Sequence, residues 1–194
     1  MEKIEKTKTI LSILEKLPPE QSRLQIVLGQ GLARLKTLDF IIQKATELGI
    51  SVFVPVLTAR SLPLNAEGRE RRLERWKRIA REAAKQSKHS FVPEIESVQG
   101  LADFASGRKD ARRIFLSEHG GRLLKDLLVM PGGQNNPPPS SLVVLVGPEG
   151  GWTEKEEKEL VKQGYEAVSL GRSVLKTETA ALAAIAIIAH FWIC

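Results

Sequence analysis

The stretch LVVLVGPEGGWT at residues 142–153 decides how the chain is read. Its five leading apolar residues, Leu142 to Val146, have the pattern of a strand buried on both faces, as in a parallel sheet. Gly147 ends the run. Pro148 fixes φ and lacks an N–H, and Gly150 and Gly151 permit positive φ, so the spacing predicts a sharp turn whose backbone can approach a ligand. Thr153 and Glu156 stand three apart as a capping box, which starts a helix through Glu154 to about Gln163. Strand, glycine turn and helix in that order place a ligand at the carboxyl edge of a parallel sheet. Glycines that only allow close packing leave the same trace, so the turn alone names no ligand.

A second unit follows. YEAVSL at 165–170 is a short β-prone run ending in Gly171, and TETAALAAIAIIAHFWIC at 177–194 reads as a last helix, capped by Thr177 or Thr179 and apolar nearly all round. Such a helix is a buried one. From Ala180 onward it is shorter than the roughly 20 residues a bilayer needs, and it carries His190, so no membrane span is expected.

GPEGGWTEKE, followed by LGRSVLKTETAALAA, resembles the cofactor-binding signature of the RsmE family, SPOUT-superfamily methyltransferases that act on uridine N3 of small-subunit (16S) ribosomal RNA. FIIQKATELGI at 40–50 and REAAKQSKHSFVPEI at 81–95 match the family's other characteristic runs in order and spacing. The resemblance covers roughly residue 25 to the C-terminus. It implies an α/β, SPOUT-type trefoil-knotted domain with a mostly parallel sheet flanked by helices, S-adenosylmethionine held in the knot, and a homodimer acting on ribosomal RNA or the small subunit. It further implies a cofactor site built from three strand ends. The first supplies Leu116, Ser117 and Glu118. The second supplies Val146, Gly147, Pro148, Glu149, Gly150 and Gly151. The third supplies Leu170, Gly171, Ser173 and Leu175, with Thr179 and Ala180 on the last helix. Family members carry an N-terminal PUA-like barrel, of which residues 1–24 offer room for only a remnant or linker, leaving 25–194 as the methyltransferase domain.

The rest of the chain agrees with an α/β reading. QIVLGQ at 25–30 is strand-like, and Leu35, Leu38, Ile41, Ile42, Ala45 and Leu48 mark one helical face closed by Gly49. SVFVPVLT at 51–58 is the next strand, its Pro55 suited to an edge or bulge. GQGLAR at 29–34 looks like a GxGxxG loop but lacks the third glycine and a following acidic residue, so no dinucleotide site is assigned to it. Residues 92–98 form a weak strand, 101–105 a short helix, 113–116 a buried strand, and the proline-rich 130–141 a mobile connection. At the N-terminus, Ile4, Ile10, Leu11, Leu14 and Leu17 fit either an amphipathic helix or short strands, ended by Pro18 and Pro19.

Charge points toward a polyanion. The 194 residues carry 29 Lys and Arg against 23 Asp and Glu, a formal charge of +6, and nine of the cations fall on the helix predicted over 68–88. Arg71, Arg75, Arg78, Lys85 and Lys88, with His89 after them, are the candidate phosphate contacts; a solvated face relieved by Glu70, Glu74 and Glu82 is the plainer reading of the same residues. The single cysteine, Cys194, excludes an internal disulfide, and the absence of a signal-like run suits a cytoplasmic protein. Three scattered histidines have no ligand spacing, so no metal site is expected. Neither GxSxG nor GxxxxGK[ST] occurs, which disfavours hydrolases and P-loop enzymes.

Methyl transfer to uracil N3 asks for donors or a cation near the imidate oxygens that gain charge as the proton leaves. Lys176 and Arg172, flanking Ser173, suit that task; Glu178 either accepts the proton or simply favours the positive end of its helix. Lys176 and His89 stand where the family usually has arginine. Lysine keeps the charge but loses the bidentate fork, and a histidine can be neutral. The short N-terminus and the His89 departure support an alternative: an RNA-binding homologue without the barrel and with weak or no turnover.

Overall fold

A computed structural model describes residues 3–4, 9–10, 12, 15, 24–62, 66–129 and 133–193. Near the N-terminus β1 (Lys3–Ile4) and β2 (Thr9–Ile10) pair antiparallel, so Ile4 and Ile10 lie on strands, while Leu11, Leu14 and Leu17 fall outside the described residues. The main sheet contains β3 (Gln25–Gly31), β4 (Val52–Leu57), β5 (Glu94–Ile95), β6 (Gln99–Gly100), β7 (Arg112–Leu116), β8 (Arg122–Leu123), β9 (Ser141–Val146) and β10 (Glu166–Ser169). Its order is β5-β4-β3-β9-β7-β10-β8, with β6 also on β4, and every pairing is parallel. The helices are α1 (Leu35–Glu47), α2 (Ala66–Gln86), α3 (Leu101–Ser106), α4 (Leu124–Leu128), α5 (Glu154–Lys162) and α6 (Thr177–Trp192).

β9 explains why the stretch at 142–153 organises the chain: it sits between β3 and β7, and its apolar residues supply both cores. Leu142, Val144 and Val146 pack in the cluster that also holds Leu38, Ile41, Trp76, Ile185 and Ile188 from α1, α2 and α6. Val143 and Leu145 point the other way, toward Phe104, Leu160 and Trp152 near α3 and α5. Alternate side chains of a strand face opposite sides, so a run without polar positions is what a sheet covered on both faces requires. Each such burial contributes about 1.5–3 kcal/mol.

Three local features depart from simple expectation for identifiable reasons. Pro55 lies inside the sheet, paired with Gln30. The Phe53 carbonyl accepts from Glu96 and the Val56 carbonyl from Leu32, so alternation turns the Pro55 nitrogen toward β5 and β6. Those two strands pair only with Val52–Phe53 and Val56–Leu57, and the missing N–H falls in the gap between them. Of the strand expected over 92–98 only Glu94–Ile95 forms, and β6 lies just beyond it at Gln99–Gly100. Second, β8 and α4 were not evident in the sequence. Third, the described part of the proline-rich connection is tied down: Asn136 donates from its backbone to the Leu128 carbonyl and through Nδ2 to that of Leu127, while Trp192 Nε1 donates to the Asn136 carbonyl at 2.8 Å.

The glycines of GQGLAR serve packing. A Cβ on Gly31 would lie 2.5 Å from the Pro148 nitrogen, so only glycine lets β3 end directly beneath the turn that follows β9.

Candidate functional site

The carboxyl ends of β7, β9 and β10 converge on one open cleft of about 480 Å³, within the range of small-molecule sites. Leu116, Ser117 and Glu118 line it from β7, Val146 through Glu149 and Gly151 from β9, and Leu170, Gly171, Ser173 and Leu175 from β10, with Ala180 on α6. Arg172, Lys176 and Glu178 are on the same wall. Three segments separated by up to sixty residues are thus brought together as expected. Gly150 and Thr179 are the two expected cofactor contacts that do not line the cleft. Arg34, Thr37, Trp152 and Thr177 line it without having been singled out.

The glycine turn is held from four directions. Below it, Trp152 is buried and its Nε1 donates to the Leu116 carbonyl at 2.9 Å, joining the first two strand ends. On the α6 side, Thr177 Oγ1 donates to the Gly147 carbonyl at 2.6 Å and accepts from Gln30 Nε2 at 2.9 Å. Thr177 therefore does not cap α6; the N-cap is Lys176, with no side-chain cap bond, and the hydroxyl is spent across the sheet edge. Toward α1, Glu149 accepts from Thr37 Oγ1 at 3.2 Å and lies 3.6 Å from Arg34 Nε. From the loop after β4, Arg60 Nη1 donates to the carbonyls of Gly150 (2.8 Å) and Trp152 (3.0 Å). Gly151 is favoured as glycine by its φ of +67°, and Glu118 Oε1 lies over it, 2.5 Å from where a Cβ would be.

The capping box at Thr153 is present in both directions. Glu156 N–H donates to Thr153 Oγ1 at 3.2 Å, and Thr153 N–H donates to Glu156 Oε2 at 2.9 Å. The other Glu156 oxygen accepts from Ala59 N–H at 2.8 Å. Nearby, Ser117 Oγ donates to Glu157 Oε1 at 2.8 Å. Nothing local in TARS at 58–61 signals that Arg60 meets a turn ninety residues later; only the fold reveals it.

The expected phosphate contacts separate into two groups. Arg75 is committed to Asp39, with Nη2 at 2.7 Å and Nε at 3.0 Å from Oδ2, and this carboxylate raises the arginine pKa. Lys85 lies 2.8 Å from Glu82, whose pKa it lowers. His89 Nε2 contacts the Glu47 carbonyl at 3.0 Å, closing the end of α1. Arg71 and Arg78 have no carboxylate partner among the described residues and line a groove between α1 and α2. Lys88 is exposed in the turn that follows α2, with φ +58°. Among the described residues no cluster of three His, Cys, Asp or Glu could hold a metal, and no helix is long and apolar enough to cross a membrane.

A parallel sheet with a cleft at the carboxyl ends of β7, β9 and β10 defines a class of α/β domain, and a family profile described as an RNA methyltransferase domain matches residues 20–189. Ribosomal RNA small subunit methyltransferase E of Aquifex aeolicus is 34% identical over 91% of this chain and 71% of its own length. The Bacillus subtilis protein of that name is 32% identical over 86% of this chain and 66% of its own length. The chain belongs to this ribosomal RNA small subunit methyltransferase E (RsmE) family. Among solved structures, the Neisseria gonorrhoeae enzyme of that name, bound to S-adenosyl methionine, superposes with a TM-score of 0.77 at 33% identity, over 89% of this chain and 68% of that one. A Legionella pneumophila protein in complex with the same cofactor gives a TM-score of 0.79 at 26% identity.

Proposed function

We propose that this protein transfers a methyl group from S-adenosylmethionine to N3 of a uridine in small-subunit ribosomal RNA, working in the cytoplasm as a homodimer. It is an S-adenosylmethionine-dependent rRNA methyltransferase. The observation that carries the reading is the convergence of all three candidate catalytic residues with the glycine turn in one cleft; it also favours turnover over RNA binding alone.

The residues present suit the cofactor. Leu116, Val146, Leu170 and Leu175 offer apolar walls for a purine, while Glu118 lies beside Gly151 without a cation partner among the described residues, an acceptor for hydroxyl or ammonium donors. When bound, the sulfonium supplies an activated methyl group for in-line displacement. The chain must then hold the acceptor nitrogen in line, meet the negative charge that spreads to O2 and O4 of the uracil as N3 loses its proton, and exclude water. Lys176 and Arg172 are the cleft-wall cations assigned to that charge, and Glu178, on the first turn of α6, is the carboxylate assigned to take the proton.

The trefoil crossing belongs to the same reading. It is supported by the insertion of β9 between β3 and β7 and by the packing of Thr177 across Gly147. Residues 25–194 are read as the methyltransferase domain, a reading supported by the family match over residues 20–189.

Incubating the protein with small ribosomal subunits and methyl-labelled cofactor, then digesting the RNA and analysing nucleosides by mass spectrometry, tests the proposal. Labelled 3-methyluridine is expected. A different labelled nucleoside, or none, refutes the assignment.

A further inference from the structure

The second cavity, about 680 Å³, lies between α1 and α2 and is lined by Leu35, Lys36, Asp39, Arg71, Arg78 and Trp76, among others. Its acids are neutralised internally: Asp39 by Arg75 and Glu74 by Lys77. What remains is Lys36, Arg71, Arg72 and Arg78, none with a carboxylate partner among the described residues. Arg71 and Arg78 are seven residues apart, two turns of α2 on one face, so they stand about 10 Å from each other along the helix. Arg75, midway between them, holds α2 against α1 through its two bonds to Asp39.

Position gives this groove its meaning. The first turn of α1 is a wall shared with the cofactor cleft. Arg34 and Thr37 line the cleft and hold Glu149 of the glycine turn, whereas Leu35, Lys36 and Asp39 line the groove. A strand lying in the groove would need to cross only that turn to reach the cleft.

We propose that the α1–α2 groove receives the sugar–phosphate backbone of the RNA strand whose base enters the cleft, with Arg71, Arg78, Arg72 and Lys36 as phosphate contacts. Arg75 is a structural brace, and Lys77 and Lys85, each paired within its own helix, take no part. The inference rests on the methyltransferase reading and adds the path by which substrate approaches. A uniform electrostatic attraction by all of α2 makes a different prediction, because it counts each cation equally wherever it sits.

Two double variants with equal charge loss separate these. Arg71→Ala/Arg78→Ala and Lys77→Ala/Lys85→Ala are compared with the unaltered protein for binding of a fluorescein-labelled oligouridine, by anisotropy over a salt series. The arginine variant is expected to bind at least about tenfold more weakly, with a salt slope smaller by about 1.4 for two lost single-strand phosphate contacts. The lysine variant should remain within about twofold of the unaltered protein. Cofactor affinity, measured by calorimetry, should be the same in all three. Equal losses in the two variants, or no loss in the arginine one, overturn the groove while leaving methyl transfer in place. An unaltered protein that fails to bind RNA at all overturns the underlying reading as well.

Discussion

Lys176 immediately precedes α6, exposed and on the cleft wall. Its backbone is fixed by the neighbouring Thr177, tied to Gly147 and Gln30, while four methylenes carry the ammonium toward the ligand. If it meets the charge on the uracil oxygens, the interaction exists chiefly in the transition state. Lys176→Ala should then lower the single-turnover rate by on the order of 10²-fold to 10³-fold, roughly 3 to 4 kcal/mol, as for loss of one oxyanion donor. Cofactor affinity should not change, and Lys176→Arg should restore most of the rate. An unaltered rate in the alanine variant removes this role. Tyr165 makes a test by pH instead. Burial pushes its pKa up to about 12, with Arg113 opposing, and its hydroxyl has no partner among the described residues. An unfolded tyrosine ionises near pH 10. Below that pH both states keep the proton and the contribution to stability is complete. Between about pH 10 and 12 the unfolded state releases its proton while the native state retains it, so stability falls as pH rises. Urea midpoints should drop over that window and flatten in Tyr165→Phe, which should cost less than about 1 kcal/mol at neutral pH. A phenylalanine variant with an undiminished drop assigns the effect to other groups.

At the scale of elements, what could be read from the sequence was what local physics writes locally. The unbroken apolar run of β9, the Thr153–Glu156 box and the faces of α1 and α2 each follow from periodicity or capping within a few residues. What could not be read depends on chain brought from elsewhere: Pro55 fits because two short strands leave a gap beside it, and Thr177 abandons the cap position because Gly147 and Gln30 are within reach. Two variants separate local from distant support of the glycine turn. Thr153→Ala removes a cap and should destabilise the fold by about 1 kcal/mol, seen as a lower denaturant midpoint at unchanged slope. Arg60→Ala removes two bonds from an exposed side chain to the carbonyls of Gly150 and Trp152. Global stability should move by no more than about 0.5 kcal/mol. Cofactor binding should weaken about fivefold to tenfold, because the turn must then be ordered by the ligand itself. Isothermal titration calorimetry decides it: unchanged affinity would make Arg60 a bystander.

For the whole molecule the open question is what covers the outer face of α6. Three large apolar residues, Phe191, Trp192 and Ile193, close the helix, and the fold treats them differently. Trp192 is buried, its indole donating to the Asn136 carbonyl, and Phe191 is half-buried against the core. Ile187, 37% exposed, and Ile193, 40% exposed, remain on the solvent side with Ala186 and His190 between them. Ala186, His190 and Ile193 follow one another at helical spacing, Ile193 as the C-cap of α6, with Ile187 beside them, and an exposed apolar helix end of this kind is a self-complementary surface a two-fold dimer can use. The protein should therefore scatter light as a dimer at micromolar concentration, with twice the mass of the 21.5 kDa chain. Ile187→Glu should shift it toward monomer, since two carboxylates would face each other across the axis in a region depleted of water. The cleft proposed for the cofactor lies at the opposite, N-terminal end of α6, on Lys176, Thr177, Glu178 and Ala180, so a monomeric variant that still unfolds cooperatively would show whether cofactor binding survives alone. A monomer in the unaltered protein, or a dimer indifferent to Ile187→Glu, places any contact between copies on another face.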